Sequence, residues 1–183
     1  MGLLGSSMAP VFLQRITEAQ HGKPDEIGRL TINLYKKLLY IGILPFAALT
    51  AFGDIVFKWI FGARWELAGI FTACLAIYYL FRLISSPLSS VFIVLNKQQK
   101  LLAFQLFLFI GRAIVLAVGA FVLKDIFWVV LLFGLFNAVA YFFVAIWILD
   151  IVGAPKKALI VETIAIVTIV TGALMLFKAG FGW

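Results

Sequence analysis

Residues 126–151, IFWVVLLFGLFNAVAYFFVAIWILDI, decide the fold of this chain. The stretch carries a single charged side chain, Asp150, one residue before its end. Its apolar residues cover every side of a helix rather than one stripe with a 3.6-residue period. Because a helix needs roughly 20 apolar residues to cross a bilayer, the stretch predicts a transmembrane helix.

The composition of the whole chain agrees with this stretch. Of its 183 residues, 64% are hydrophobic and 13% are charged, and the mean hydropathy is +1.13. A soluble domain is roughly half apolar and one quarter charged. The chain is therefore predicted to be an all-α integral membrane protein, with a single membrane domain over residues 1–183. Its helices satisfy their own backbone hydrogen bonds in lipid.

Five complete spans are predicted along the sequence. They cover residues 35–61, 65–95, 101–123, 126–151 and 158–177. Residues 1–16 are apolar but too short to cross a bilayer, and we interpret them as the end of a truncated helix. Residues 17–34, which contain HGKPDE, are predicted to form a cytoplasmic loop or an interfacial helix, and residues 35–183 the transmembrane bundle.

The distribution of basic residues predicts the orientation, since cytoplasmic loops are enriched in Lys and Arg. One side of the predicted bundle carries Arg15, Lys23, Arg29, Lys36, Lys37, Lys97, Lys100, Lys156 and Lys157. The other side carries Lys58, Arg64, Lys124 and Lys178. The first side is predicted to be cytoplasmic. The net charge of +7 is explained by this bias, and no nucleic-acid partner is expected.

Two arginines, Arg82 and Arg112, fall near the middle of predicted spans. Each such arginine costs roughly 2.5–3.5 kcal/mol on insertion scales. No acidic residue is predicted at the same depth. The two charges therefore indicate a watery cavity, a partner helix or an anionic ligand.

Polar residues share helix faces with both arginines. At about 100° per residue, Ser85, Ser86, Ser89 and Asn96 lie on the Arg82 face, and Gln98 and Gln105 lie on the Arg112 face. We predict that Arg82, Arg112, Ser86, Ser89, Gln105 and Asn96 line a substrate path. Asn137 and Tyr141, one turn apart, are further candidates for the same cavity. The alternative is that the polar residues join helices, because small and polar side chains are favoured at membrane packing interfaces.

Other kinds of chemistry find little support in the sequence. Cys74 and His21 are the only residues of their types, so one chain offers no disulfide and no Cys/His metal cluster. No metal and no cofactor are predicted. An intramembrane enzyme would need a nucleophile–base pair or metal ligands at depth, and we expect the protein not to be an enzyme.

Three stretches resemble bacterial polysaccharide flippases: MAPVFLQRITEAQHGK at 8–23, IFGARWELAGIF at 60–71 and SSPLSSVFIVLNKQQK at 85–100. The second stretch, with its F-G-x-x-W-x-x-A-G spacing, carries most of the specificity. These flippases belong to the multidrug/oligosaccharidyl-lipid/polysaccharide exporter superfamily, whose members have two six-helix lobes around a central cavity. The resemblance covers only the second lobe, so residues 1–16 resemble the end of the eighth helix and the five spans the ninth to thirteenth. Family members end in the cytoplasm, whereas this chain is predicted to end outside; either another helix follows or the fifth span does not fully cross.

The resemblance implies a function. Such flippases move a lipid-linked oligosaccharide of the undecaprenyl-pyrophosphate type across the bacterial inner membrane for cell-surface polysaccharide, including the O-antigen of lipopolysaccharide. The implied partners are membrane lipid, the lipid-linked oligosaccharide and the missing N-terminal lobe of the same transporter. Two alternatives stay open: a small membrane subunit or assembly partner whose polar faces pack on another protein, and a drug exporter of the same superfamily.

Overall fold

A computed structural model describes residues 2–22 and 24–180, and these residues are almost entirely helical. The helices are α1 (Gly2–Gly22), α2 (Pro24–Phe61), α3 (Glu66–Leu88), α4 (Ser90–Val94), α5 (Gln98–Val118), α6 (Ile126–Ile151) and α7 (Lys156–Gly180). A 3₁₀ turn at Ala63–Trp65 precedes α3, and a π-helical segment at Gly119–Leu123 extends α5. The described residues contain no β-strand, which confirms the all-α prediction.

The five predicted spans are also confirmed: four agree within three residues at either end, and the first begins nine residues earlier than predicted. Helical segments long and apolar enough to cross a membrane occupy Glu26–Phe61, Ala63–Val94, Gln98–Leu123, Ile126–Ile151 and Lys156–Gly180. Helix α6 begins where the side chain of Asp125 accepts a hydrogen bond of 2.8 Å from the backbone N–H of Phe127. An aspartate in this position satisfies one of the free N–H groups at a helix start.

Of the two alternatives predicted for residues 17–34, a loop or an interfacial helix, the loop is wrong, because the described residues there are helical. Helix α1 continues to Gly22, and α2 begins at Pro24; Lys23 lies outside the described residues. Ile27, Thr31 and Tyr35 follow one another at four-residue spacing and are all buried, so one face of this polar segment packs against the bundle. Proline is also well tolerated at the first position of a helix. Helix α2 is therefore longer than the bilayer core requires, and its first turns extend beyond the predicted span.

Helix α3 lies at the centre of the bundle, between α2 and α6. Glycines allow both contacts: a Cβ atom added to Gly53 of α2 would lie 2.7 Å from the carbonyl oxygen of Gly69 in α3. Gly134 of α6 similarly faces the backbone of Cys74 in α3. Small residues at such positions are what lets membrane helices pack closely. The three helices consequently form a tightly packed unit that carries the rest.

Helices α5 and α7 lie at the edges of this unit, against α6 and α2 respectively. Two ion pairs join α7 to α2, with Lys36 Nζ 2.8 Å from Glu162 Oε2 and Lys178 Nζ 2.7 Å from Asp54 Oδ2. Lys36 precedes Asp54 along α2, and Glu162 precedes Lys178 along α7. The two pairs therefore follow one another in the same order along both helices. Helices α2 and α7 consequently run parallel, as expected for the first and fifth of five successive crossings.

Candidate functional site

A polar cleft lies between α3 and α5, which both pack against α6. Its volume is about 280 Å³. The α3 side contributes Arg82, Ser85, Ser86 and, just after the helix, Ser89. The α5 side contributes Leu101, Phe104, Gln105 and Arg112, and α6 forms the floor with Tyr141 and Val144.

Five of the six residues predicted to line a substrate path meet in this cleft. They are Arg82, Ser86, Ser89, Gln105 and Arg112. The two arginines lie near the middle of their spans, Ala63–Val94 and Gln98–Leu123. Their assembly into one cleft is a structural finding, whereas their binding of a substrate stays a prediction.

The sixth residue, Asn96, is not among the residues that line this cleft. The prediction continued the helix face of Arg82 through residue 96, but α4 ends at Val94. Asn96 is exposed and adopts a left-handed backbone conformation with φ 53° in the turn before α5. Asparagine tolerates that conformation better than most residues, which gives Asn96 a role in the turn.

Arg112 is held by two residues of α6. Its Nε donates a hydrogen bond of 2.8 Å to Oδ1 of Asn137, and its Nη2 donates one of 3.4 Å to the Tyr141 hydroxyl. Asn137 is 0% exposed and donates its own Nδ2 to the carbonyl oxygen of Phe133 at 2.8 Å. That second hydrogen bond directs Oδ1 of the amide toward the arginine. Tyr141 thus lines the cleft as the sequence suggested, whereas Asn137 lies behind its surface.

Arg82 is held from within its own helix. Its Nη1 donates a hydrogen bond of 2.9 Å to the hydroxyl of Tyr78, one turn earlier in α3. The ring of Tyr78 also packs on Tyr141, with the centroids 5.7 Å apart. Tyr78 was not predicted from the sequence, although its four-residue spacing from Arg82 was a usable signal.

The acceptors that hold the two arginines are all neutral. No acidic residue lines the cleft, and in the part of the chain that the structure describes, the ion pairs use lysines instead. These pairs are Lys36–Glu162, Lys58–Glu66, Lys156–Asp150 and Lys178–Asp54. The cleft therefore presents two positive charges at membrane depth without an acidic partner. Charges at such depth ordinarily face water or pair with an opposite charge.

The serines and the glutamine make the cleft wall polar without adding charge. Ser89 donates its Oγ to the carbonyl oxygen of Ser86 at 2.7 Å, and Ser85 donates to the carbonyl oxygen of Tyr141 at 2.8 Å. The second hydrogen bond ties α3 to α6, as the packing alternative for these serines expected. Ser86 and Gln105 are exposed at the cleft, and both offer donors and acceptors to an occupant.

An apolar groove lies along α5 and α6 beside the polar cleft. Its volume is about 490 Å³, and its lining includes Phe107, Phe136, Phe143 and Trp147. Phe104 contributes to both the groove and the cleft. Aromatic and aliphatic side chains of this kind are compatible with surrounding lipid chains.

Comparisons with known proteins give no neighbour for this arrangement. No protein-family model matches the chain, and no curated protein and no solved structure shows significant similarity to it.

Proposed function

We propose that the chain is the C-terminal half of a flippase that moves a lipid-linked oligosaccharide across the bacterial inner membrane for cell-surface polysaccharide synthesis. The observation that carries the proposal is the cleft itself. It brings together Arg82 and Arg112 at the middle of two spans, with no acidic residue in its lining.

The chemistry of arginine fits the head group of the proposed substrate. A guanidinium group binds phosphate oxygens through two parallel hydrogen bonds, and it stays charged when it is removed from water. A pyrophosphate carries the charge that two arginines would neutralise. Ser86 and Gln105 supply uncharged hydrogen-bonding groups nearby, which suit sugar hydroxyls.

The size of the cleft indicates that this chain supplies one wall of a larger cavity. A volume of about 280 Å³ lies just below the range of roughly 300–1,000 Å³ for small-ligand sites, and an oligosaccharide needs more room. Arg82, Ser86 and Gln105 are exposed at the surface of the bundle. A second lobe facing this surface would complete the cavity, and rocking of the two lobes would alternate access between the leaflets.

Reconstitution into liposomes tests the proposal. A fluorescent undecaprenyl-pyrophosphate oligosaccharide should reach the opposite leaflet only when this chain is combined with a partner lobe, and the chain alone should match protein-free liposomes. Transport by the chain alone would refute the half-transporter interpretation.

The same exposed surface also supports the second candidate function, a membrane subunit that packs its polar face on another protein. A photo-crosslinking side chain at Gln105, used in native membranes, distinguishes the flippase from the membrane subunit. A homologous transporter lobe in the crosslinked product supports the flippase, whereas an unrelated membrane protein supports the subunit.

A further inference from the structure

Of the three residues that hold the arginines, Asn137 and Tyr78 do not line the cleft, whereas Tyr141 does. Asn137 is fully buried behind the cleft surface, and its hydrogen bond from Arg112 links α6 to α5. Tyr78 is buried in α3 and accepts from Arg82. Neither residue is among those lining the cleft.

These contacts fix each guanidinium group while leaving most of its donors free. A guanidinium group has five N–H donors. Asn137 occupies the Nε donor of Arg112, the Tyr141 hydroxyl takes one donor of Nη2 at the longer distance of 3.4 Å, and Tyr78 takes one donor of Arg82 Nη1. The remaining Nη donors stay available to an occupant of the cleft.

The neutral character of both acceptors matters as much as their position. A carboxylate in the place of the Asn137 amide would pair with Arg112 and cancel its charge, and it would lose the Nδ2 donor that the amide offers to the carbonyl oxygen of Phe133. An amide oxygen and a phenol oxygen orient the group without cancelling the charge. The full attraction of both arginines is thereby kept for an anion.

We propose that Asn137 and Tyr78 are positioning residues that aim Arg112 and Arg82 at a phosphate-bearing lipid head group through neutral hydrogen bonds. This inference rests on the proposed function, because it assumes that the cleft receives an anion. The shared chemistry is a phosphate group, carried either by a lipid or by a free anion.

Binding measurements on the purified 183-residue chain in phosphatidylcholine nanodiscs test the inference. Geranyl diphosphate serves as the lipid-borne probe, and inorganic pyrophosphate as the free anion. The variants are Asn137→Asp, which preserves the side-chain shape, and Tyr78→Phe, which removes one hydroxyl. Tyr79→Phe is the matched control, since the Tyr79 ring packs on Tyr78 with the centroids 4.6 Å apart.

Asn137→Asp should weaken geranyl diphosphate binding about tenfold or more, because its carboxylate pairs with Arg112. The dependence of affinity on salt should also become flatter, since one cationic charge is compensated; structural damage alone would not change this slope. Tyr78→Phe should weaken binding by a few fold, and Tyr79→Phe should have no effect.

Unchanged affinity and salt dependence in Asn137→Asp and Tyr78→Phe would overturn the inference while leaving the proposed function intact. If Asn137→Asp does not fold, the comparison of geranyl diphosphate binding between Tyr78→Phe and Tyr79→Phe tests the inference by itself. Equal binding of geranyl diphosphate and pyrophosphate, with both weakened in the variants, would support the positioning role and contradict a lipid-specific site. Failure of the unmodified chain to bind either probe would overturn both proposals.

Discussion

Replacing Arg112 or Arg82 with glutamine should reduce transport strongly without lowering the yield of folded protein. For Arg112→Gln, removing a charge from the middle of a span recovers roughly 2.5–3.5 kcal/mol. The change also breaks the hydrogen bond to Asn137, whose Oδ1 is buried, at a cost of about 1–3 kcal/mol for an unsatisfied buried acceptor. The two effects nearly cancel, so folded yield should stay close to that of the unmodified chain.

Arg82→Gln should raise the folded yield slightly, whereas its effect on transport should match that of Arg112→Gln. Arg82 is exposed at the cleft and its one hydrogen bond goes to Tyr78, so the loss is about 0.5–1.5 kcal/mol and insertion should improve. Transport should fall at least about tenfold in both variants, since a lost charge-assisted contact is worth about 1.5–3 kcal/mol. Arg→Lys should restore only part of it, because an ammonium group lacks the planar pair of donors.

The assay compares transport per folded molecule in liposomes that contain this chain together with the proposed partner lobe. Folded protein is quantified by size-exclusion chromatography before reconstitution. Near-normal transport per folded molecule, together with a reduced yield of folded protein, would rule out a substrate-binding role for the two arginines. That result would show that the arginines stabilise the bundle, for example by pairing with acids on the partner lobe.

Three further predictions concern topology, a turn and helix packing. Cysteines at Gln99 and Arg64, in a Cys74→Ala background, should be labelled from opposite sides of the membrane by an impermeant thiol reagent, because the two sides carry unequal numbers of basic residues. Labelling from the same side would contradict the topology. Asn96→Ala should lower stability by about 1 kcal/mol, since φ is positive there, yet leave diphosphate binding unchanged in a nanodisc assay; weaker binding would return Asn96 to the site. Gly53→Leu should reduce folded yield strongly, because its Cβ would meet the backbone of α3, and a normal chromatographic profile would argue against the close α2–α3 contact.

The spans were predictable because lipid selects on composition and length, which can be read directly from a sequence. The faces of single helices were predictable for the same local reason. Arg82, Ser86 and Ser89 share a side of one helix, and Gln105 and Arg112 share a side of another, wherever those helices lie. Five predicted residues therefore meet in one cleft.

Features that depend on helix ends and helix neighbours were harder to predict. The helix face of Arg82 was extended through Asn96, although α3 ends at Leu88 and the short α4 that follows ends at Val94. The polar content of residues 17–34 concealed the buried face formed by Ile27, Thr31 and Tyr35. The tether from Arg112 to Asn137 required knowing that α5 packs on α6, which no pattern within either helix specifies.

Native mass spectrometry with two lipids that share one tail tests the central claim most directly. We expect the chain to bind undecaprenyl diphosphate at least about ten times more tightly than undecaprenol, since only the diphosphate carries the charge that Arg82 and Arg112 attract. In the double variant Arg82→Gln, Arg112→Gln that difference should disappear. Equal binding of the two lipids by the unmodified chain would contradict a diphosphate site formed by the two arginines. A preference for the diphosphate that persists in the double variant would contradict it as well.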